Sequence, residues 1–319
     1  MRDAFEESQH SRLRLQRGVL TRVQALDAGL SDKAIEVRLR DGRWQRLHWG
    51  VYATFSGELP RLAVLWAAVL AAGRAAALSH HTAAELYGLL NTPASLVHVS
   101  VPSGRRVEHP EGVVVHYSGR LELATHPVLT PPRTRIEDTV LDLAETLTSP
   151  DEVISLILRA SASRRTTPKR LQAAMDRRNR MRWRADLGHA LSVSSQGAHS
   201  LLEFRYLDRV ERPHGLPRGR RQNPVRRERC RQYQDVEYEG FDVVVELDGS
   251  AAHPQWSRWA DIRRDNASTA MGQATLRYGW ADVTTRPCRV AREVAAVLAQ
   301  RGWGGIPNRC GRNCPIDAD

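Results

Sequence analysis

Asp235, Glu246 and Asp248 are the residues whose types and spacing imply chemistry most directly. They lie in Asp235-Val-Glu-Tyr-Glu-Gly-Phe-Asp-Val-Val-Val-Glu-Leu-Asp-Gly249, which has the form of a strand, a short turn and a second strand ending in two acids. Side chains two apart on a strand share a face, so Glu246 and Asp248 point one way while Val245 and Leu247 point into a core. If the two strands pair, Asp235 returns beside the other acids, and three carboxylates converge against an apolar wall. Like charges so placed repel unless a cation lies between them, and hard oxygen donors suit Mg2+ or Mn2+. An isolated Glu-x-Asp more often lines the solvated face of a strand, and it is the surrounding residues that favour a metal site here.

Upstream, Gly197-Ala-His-Ser-Leu-Leu-Glu203 places Glu203 early in a helix with apolar period (Leu201, Leu202, Tyr206, Leu207, Val210). Downstream come Gly249, His253 and Trp259-Ala-Asp-Ile-Arg-Arg264-Asp-Asn266, then Thr275-Leu-Arg-Tyr-Gly-Trp-Ala-Asp-Val283. This helix, hairpin, helix, strand succession resembles the restriction-endonuclease-like PD-(D/E)XK superfamily. It is most similar to a branch of actinobacterial proteins whose C-terminal domain is like the very-short-patch-repair (Vsr) endonuclease. The resemblance spans residues 195–303. It implies that Asp235 and Glu246 are the metal-binding acids of the two hairpin strands and that Glu203 is the helix acid. His253 falls where Vsr-like enzymes carry a histidine near the reacting phosphate, and Asp248 falls where the superfamily usually has its catalytic lysine. The chain holds only two lysines, Lys33 and Lys169. The lysine's role then passes to His253, Arg264 or a second metal, or goes unfilled in an inactive domain.

Composition sets outer limits. A chain of 319 residues, 41% hydrophobic with eight tryptophans, has enough apolar surface for two or three cores. The longest apolar run, Leu62–Ala72, suits a buried helix and falls short of a bilayer. The first ten residues hold no apolar h-region, so a cytoplasmic protein with no membrane partner is expected. Net charge is +11, and all but two of the 47 basic residues are arginines, which suits a polyanion but also fits a GC-rich genome. Two segments concentrate that charge. Arg159–Arg184 has ten basic residues against Asp176, and Arg212–Arg231 has eight arginines against Glu228. Both flank the start of the nuclease-like region, where a phosphate backbone would lie. Cys310-Gly-Arg-Asn-Cys314 is in a Gly/Pro/Asn-rich tail, and a C-x3-C without a second close pair is weak evidence for zinc. Cys288 could join these two, but the tail reads as carrying free thiols.

The N-terminal half carries its own pattern. Thr21 precedes an apolar-periodic segment that stops at Gly29, and Ser31 can cap a second helix that stops at Gly42. A β wing follows, Trp44-Gln-Arg-Leu-His-Trp-Gly-Val-Tyr52, completing a winged helix-turn-helix. Lys33, Arg38 and Arg40 on the second helix, with Arg43 and Arg46 at the wing, are the candidate DNA contacts. With Leu78-Ser-His-His-Thr-Ala-Ala-Glu-Leu-Tyr-Gly88, this half resembles the N-terminal domain of AbiEi-type antitoxins, which implies a possible cognate toxin. His80 and His81 point about 100° apart on a helix and read as structural. Asp138 and Asp142 sit four apart, as on a solvated helix face.

The expectation is therefore an α+β protein. It has a winged helix-turn-helix over 1–75, an α+β middle region with a helical linker over 76–185, a restriction-endonuclease-like α/β domain with a mixed sheet flanked by helices over 190–303, and a flexible tail over 304–319. The implied function is a Mg2+- or Mn2+-dependent DNA endonuclease. The alternative is a non-catalytic DNA-binding regulator of the antitoxin class.

Overall fold

A computed structural model of the chain describes residues 9–90, 92–195, 200–227, 230–248 and 272–316, without the side chains of 222–227, 230–234 and 248. The protein is α+β. It divides into two units, Met1–Leu147 and Thr148–Asp319.

The first unit begins with α1 (His10–Leu15), β1 (Val19–Thr21), α2 (Arg22–Asp27), α3 (Asp32–Arg40), β2 (Gln45–His48) and β3 (Val51–Ala53). Thr21 and Gln24 form a capping box at α2: the hydroxyl accepts from Gln24 N–H at 3.1 Å, and Gln24 Oε1 accepts from Thr21 N–H at 2.9 Å. Ser31 Oγ accepts from Ala34 N–H at 3.2 Å and starts α3. Gly29 and Gly42 follow the two helices with φ of +89° and +69°, a conformation that side chains with a Cβ disfavour. Arg22 Nε donates to Asp32 Oδ1 at 2.7 Å, tying the heads of α2 and α3 across the turn. The antiparallel sheet β1-β3-β2 supplies the wing, and Leu20, Ala25, Ile35, Trp44 and Tyr52 close a small core.

The rest of this unit comprises α4 (Arg61–Ala72), β4 (Ala77–Leu78), α5 (His80–Leu86), β5 (Val97–Pro102), β6 (Val113–Ser118), α6 (Leu121–Ala124) and α7 (Ile136–Thr146). A sheet of order β4-β5-β6 pairs β4 with β5 antiparallel and β5 with β6 parallel. The long apolar run is α4, buried on two sides. Ala63, Trp66 and Ala67 meet Val19 and Val51, whereas Leu65, Ala68, Val69 and Ala72 meet Val97, Val99 and Val101. A helix enclosed in this way must be apolar all round. No helix among the described residues is long and apolar enough to cross a membrane. Because α4 serves both sheets, the boundary expected at residue 75 falls inside one unit. Asp138 is 2% exposed and accepts from Arg120 Nη2 at 3.0 Å, so α7 does not present it on a solvated face.

Four imidazoles converge at one end of the β4-β5-β6 sheet. His98 and His116 bring Nδ1 and Nε2 to 3.0 Å, His80 stacks on His116 at 3.7 Å, and the His81 ring is 4.9 Å from His98. Burial, followed by the neighbouring His81 and His116, lowers the His98 pKa from 6.5 to about 4.

In the second unit, α8 (Pro150–Ala162), α9 (Pro168–Asp176) and α10 (Arg184–Ser194) precede α11 (Leu201–Tyr206), which runs on through a wider turn at Leu207–Glu211. The strands β7 (Arg220–Arg227), β8 (Cys230–Tyr238), β9 (Val243–Asp248) and β10 (Ala274–Gly279) make a mixed sheet of order β10-β9-β8-β7. Pairing is antiparallel except between β9 and β10. The chain then continues into α12 (Trp280–Thr285) and α13 (Pro287–Gln300). Leu202, Tyr206 and Val210 pack with Val236, Tyr238, Val243, Val245 and Leu247 on one side of the core, and Val290, Val294 and Leu298 complete it.

Two boundaries differ from expectation. The helices α8 to α10 belong to the second unit, so the division lies after Leu147 and not near 185. The segment 304–316, read as a flexible tail from its Gly/Pro/Asn content, is anchored in the core by Cys314 and Ile316, 6% and 3% exposed. Inside this core sits one charged network. Arg221 Nη2 donates to Glu211 Oε2 at 2.8 Å with both side chains buried, and the Tyr238 and Tyr206 hydroxyls continue the chain at 2.8 Å.

Two outcomes follow from these contacts. Arg221→Met leaves the Glu211 carboxylate buried without its cation, and should lower the urea-unfolding free energy by about 3 kcal/mol; an unchanged value would mean the pair contributes nothing net. His98 binds its proton less readily folded than unfolded, so stability should be full above pH 6.5 and fall as pH drops toward 4. The urea midpoint followed through that window should fall less steeply for His98→Leu than for the parent chain.

Candidate functional site

The site grows from the β8–β9 hairpin. Val236 pairs with Val245, Glu237 with Val244 and Tyr238 with Val243, around a turn where Gly240 has φ of +86°. One step beyond the Val236–Val245 pair, Asp235 and Glu246 occupy adjoining positions on the face opposite Val236, Val245 and Leu247. Asp235 Oδ2 accepts from Leu247 N–H at 2.8 Å. The carboxylate thus takes the place of a ladder acceptor where the strands part, which fixes it at the end of the hairpin. On the other side of β9, Arg277 of β10 is the parallel partner of Glu246, and its Nη2 lies 2.9 Å from Glu246 Oε2. Their side chains are 28% and 25% exposed, so the ion pair sits at the margin of the sheet.

The expected residues are distributed as follows. Asp235 and Glu246 come together. Asp248 ends β9 opposite Gly279, and its side chain lies outside the described residues, as do His253, Arg263 and Arg264 entirely. Glu203 lies in the first turn of α11, 4% exposed, its N–H donating to Ser200 Oγ at 3.1 Å, and α11 packs beside β9. Two of the acids have partners within the protein: Asp235 accepts from Leu247 N–H and Glu246 pairs with Arg277. Arg277 was missed in the sequence; its one signal was an arginine in a strand whose parallel register was not yet known.

The candidate DNA contacts also divide. Lys33, Arg40 and Arg46 are exposed. Arg38 instead folds back, Nη1 donating to Ala34 C=O at 3.2 Å with the guanidinium 5.7 Å from the Trp44 ring. Arg40 and Arg43 share Asp41, at 3.4 and 3.3 Å. Arg46 lies over Trp49, which projects from the wing 85% exposed. In the second basic segment Arg221 is buried against Glu211 and Arg220 pairs with Glu239, while Arg212 and Arg218 remain exposed.

A second group of donors was not read as a unit in the sequence. The donor atoms of His214, Cys288, Cys310 and Cys314 all lie within 4.8 Å of one another. His214 lies in the turn at 212–215, Cys288 is in the first turn of α13, and the two others lie in the C-terminal segment. The free-thiol tail expected from the C-x3-C spacing is therefore folded onto a histidine and a third cysteine. Burial raises the Cys288 thiol to about 12. At Cys314 burial also raises the pKa, but hydrogen bonds centred on the Ile316 and Cys310 amides outweigh it and bring the thiol down to about 6.

No family model and no curated protein matches the chain. Among solved structures, the crystal structure of the RV2827C protein from Mycobacterium tuberculosis is similar over 65% of this chain and 81% of that one, at 16% identity and a TM-score of 0.40.

The Asp235 hydrogen bond has a measurable consequence. Asp235→Ala strands Leu247 N–H without its acceptor and should cost about 1–2 kcal/mol in urea unfolding, whereas Asp235→Asn keeps a carbonyl acceptor and should cost less than half of that. Equal losses in both variants would show that charge, and not the hydrogen bond, holds the position.

Proposed function

We propose that the second unit is a metal-dependent DNA endonuclease of the PD-(D/E)XK type and that the winged helix of the first unit supplies DNA affinity. The observation that carries this reading is the register that sets Asp235 and Glu246 side by side on one face of adjoining strands. Two carboxylates of this kind fit Mg2+ or Mn2+ in donor chemistry, with Asp248 at the end of the same strand as the third candidate. Such an ion, when bound, polarises the scissile phosphate and lowers the pKa of an attacking water.

The chain's own residues then have separate tasks. Asp235, held by Leu247 N–H, keeps a fixed carboxylate at the hairpin's end. Glu246 faces Arg277, whose guanidinium is placed to turn toward a phosphate oxygen when the carboxylate takes a cation. His253 or Glu203 would orient or deprotonate the water, and Arg264 would offset charge on the pentacoordinate phosphorus. Lys33, Arg40, Arg43 and Arg46 are exposed cations of the winged helix open to phosphate, and the reading puts the protein in the cytoplasm with DNA as its partner.

One observation favours a second reading. Arg277 Nη2 lies 2.9 Å from Glu246 Oε2, so the protein itself supplies a counter-charge to one of the candidate metal-binding acids. The protein would then be a DNA-binding regulator of the AbiEi antitoxin class, acting with a cognate toxin.

Supercoiled plasmid incubated with Mg2+ or Mn2+ separates the two. On the endonuclease reading the parent chain nicks plasmid only with metal, and Asp235→Asn and Glu246→Gln each reduce nicking by about two orders of magnitude or more while binding DNA as before. Retained DNA affinity with no cutting under either metal establishes the regulator. In both cases Lys33→Ala with Arg40→Ala and Arg46→Ala should weaken DNA binding and flatten its salt dependence.

A further inference from the structure

The cluster of three cysteines and one histidine has the donor set of a structural metal centre and does not depend on the nuclease reading. His214 is fully buried, 0% exposed. Its Nδ1 lies 2.8 Å from Val210 C=O and so donates to it, and in the neutral ring this tautomer puts the free lone pair on Nε2. Nε2 is buried and makes no hydrogen bond of regular geometry. A buried imidazole oriented by a backbone carbonyl, with its other nitrogen turned toward sulfur, is the arrangement of a metal ligand held by its outer hydrogen bond.

The sulfurs fit the same account. Cys288 Sγ and Cys310 Sγ are 3.5 Å apart, too far for a disulfide and close to the edge of a tetrahedron. Zn–S bonds of about 2.3 Å in tetrahedral geometry place sulfurs roughly 3.7 Å from one another. The widest donor separation here, within 4.8 Å, needs to close by only about 1 Å to reach that geometry. Soft sulfur and imidazole donors select zinc over the hard ions that carboxylates prefer. Four protein donors also leave no open position for a reacting water.

The local backbone is built for this meeting. Asn308 N–H donates to His214 C=O at 2.8 Å, which brings the C-terminal segment alongside the histidine. Gly215 follows with φ of +62°, and a Cβ there would come within 2.5 Å of Asn308 Nδ2. Cys314 and Ile316 are then buried against the core formed by α13.

We propose that His214 Nε2 and the Cys288, Cys310 and Cys314 sulfurs bind one structural zinc ion, which fastens the C-terminal segment to the loop after α11 and to the start of α13. Three segments distant in sequence meet at the ion, so its loss should free the C-terminal segment before it unfolds the sheet.

The full-length protein, purified without chelator from zinc-supplemented medium, should contain about one zinc per chain by elemental analysis. The metal-free protein titrated with Co2+ should develop a sulfur-to-cobalt charge-transfer band and the intense visible bands of a tetrahedral site, reversed by adding zinc. Cys310→Ser changes the exposed ligand and should cut zinc affinity at least tenfold, without unfolding the sheet as followed by circular dichroism. His214→Gln should abolish the tetrahedral cobalt spectrum. Asp235→Asn, which alters the carboxylate site, should leave zinc content unchanged whether or not plasmid is cut. Zinc-free protein with no cobalt spectrum would overturn the proposal, as would recovery of Cys288 and Cys310 as a disulfide under reducing purification.

Discussion

The register of β8 against β9 is the constraint on which the second unit depends. With Val236 opposite Val245 and Tyr238 opposite Val243, the apolar residues of both strands face α11 and α13. Asp235, Glu237, Val244 and Glu246 are thereby committed to the other face. A slip of one residue would turn Glu246 into the core and expose Val245 and Leu247. The Asp235–Leu247 hydrogen bond opposes that slip at the open end, where ladder pairing stops. The carboxylate that the proposed chemistry would use is thus also part of what aligns the strands. Its substitution has to be read for stability as well as for activity.

Arginine does two different jobs in this chain. With so little lysine, guanidinium is the cation for internal pairing as well as for any phosphate contact. Arg221 is consumed by Glu211, Arg277 by Glu246, Arg22 by Asp32 and Arg120 by Asp138. Net charge therefore overstates the cations open to a polyanion, and the distribution after folding decides which remain. Arg40 and Arg46 stay exposed on the winged helix, whereas Arg38 is drawn onto Trp44.

Local signals were legible in the sequence where one residue type determines one backbone event. Thr21 and Ser31 as caps, Gly29 and Gly42 as stops, and the short turn between the two strands of 235–249 each depend on neighbours within a few positions. The candidate carboxylates were legible for the same reason, since period two and one hairpin suffice to bring Asp235 to Glu246. Arg277 was not, because the parallel pairing of β9 with β10 spans a long crossover and the composition of either strand leaves its register undetermined. The break expected at residue 75 does not divide the units, because α4, legible as a buried helix, packs on both sheets of the first unit and that partnership is tertiary.

The histidine–cysteine group shows the same limit from the other side. Cys310 and Cys314 alone make a weak signal, and nothing local joins them to Cys288 or to a histidine that precedes the whole sheet. What unites them is tertiary: α13 packs back across the helix that carries Val210, and the segment after α13 returns past His214. Donor chemistry then separates this group from the acids on the sheet. Soft sulfur and a buried imidazole would retain zinc at concentrations where paired carboxylates hold little of it, while millimolar magnesium would leave the sulfur site untouched. The two groups can therefore be tested, and can fail, independently of each other.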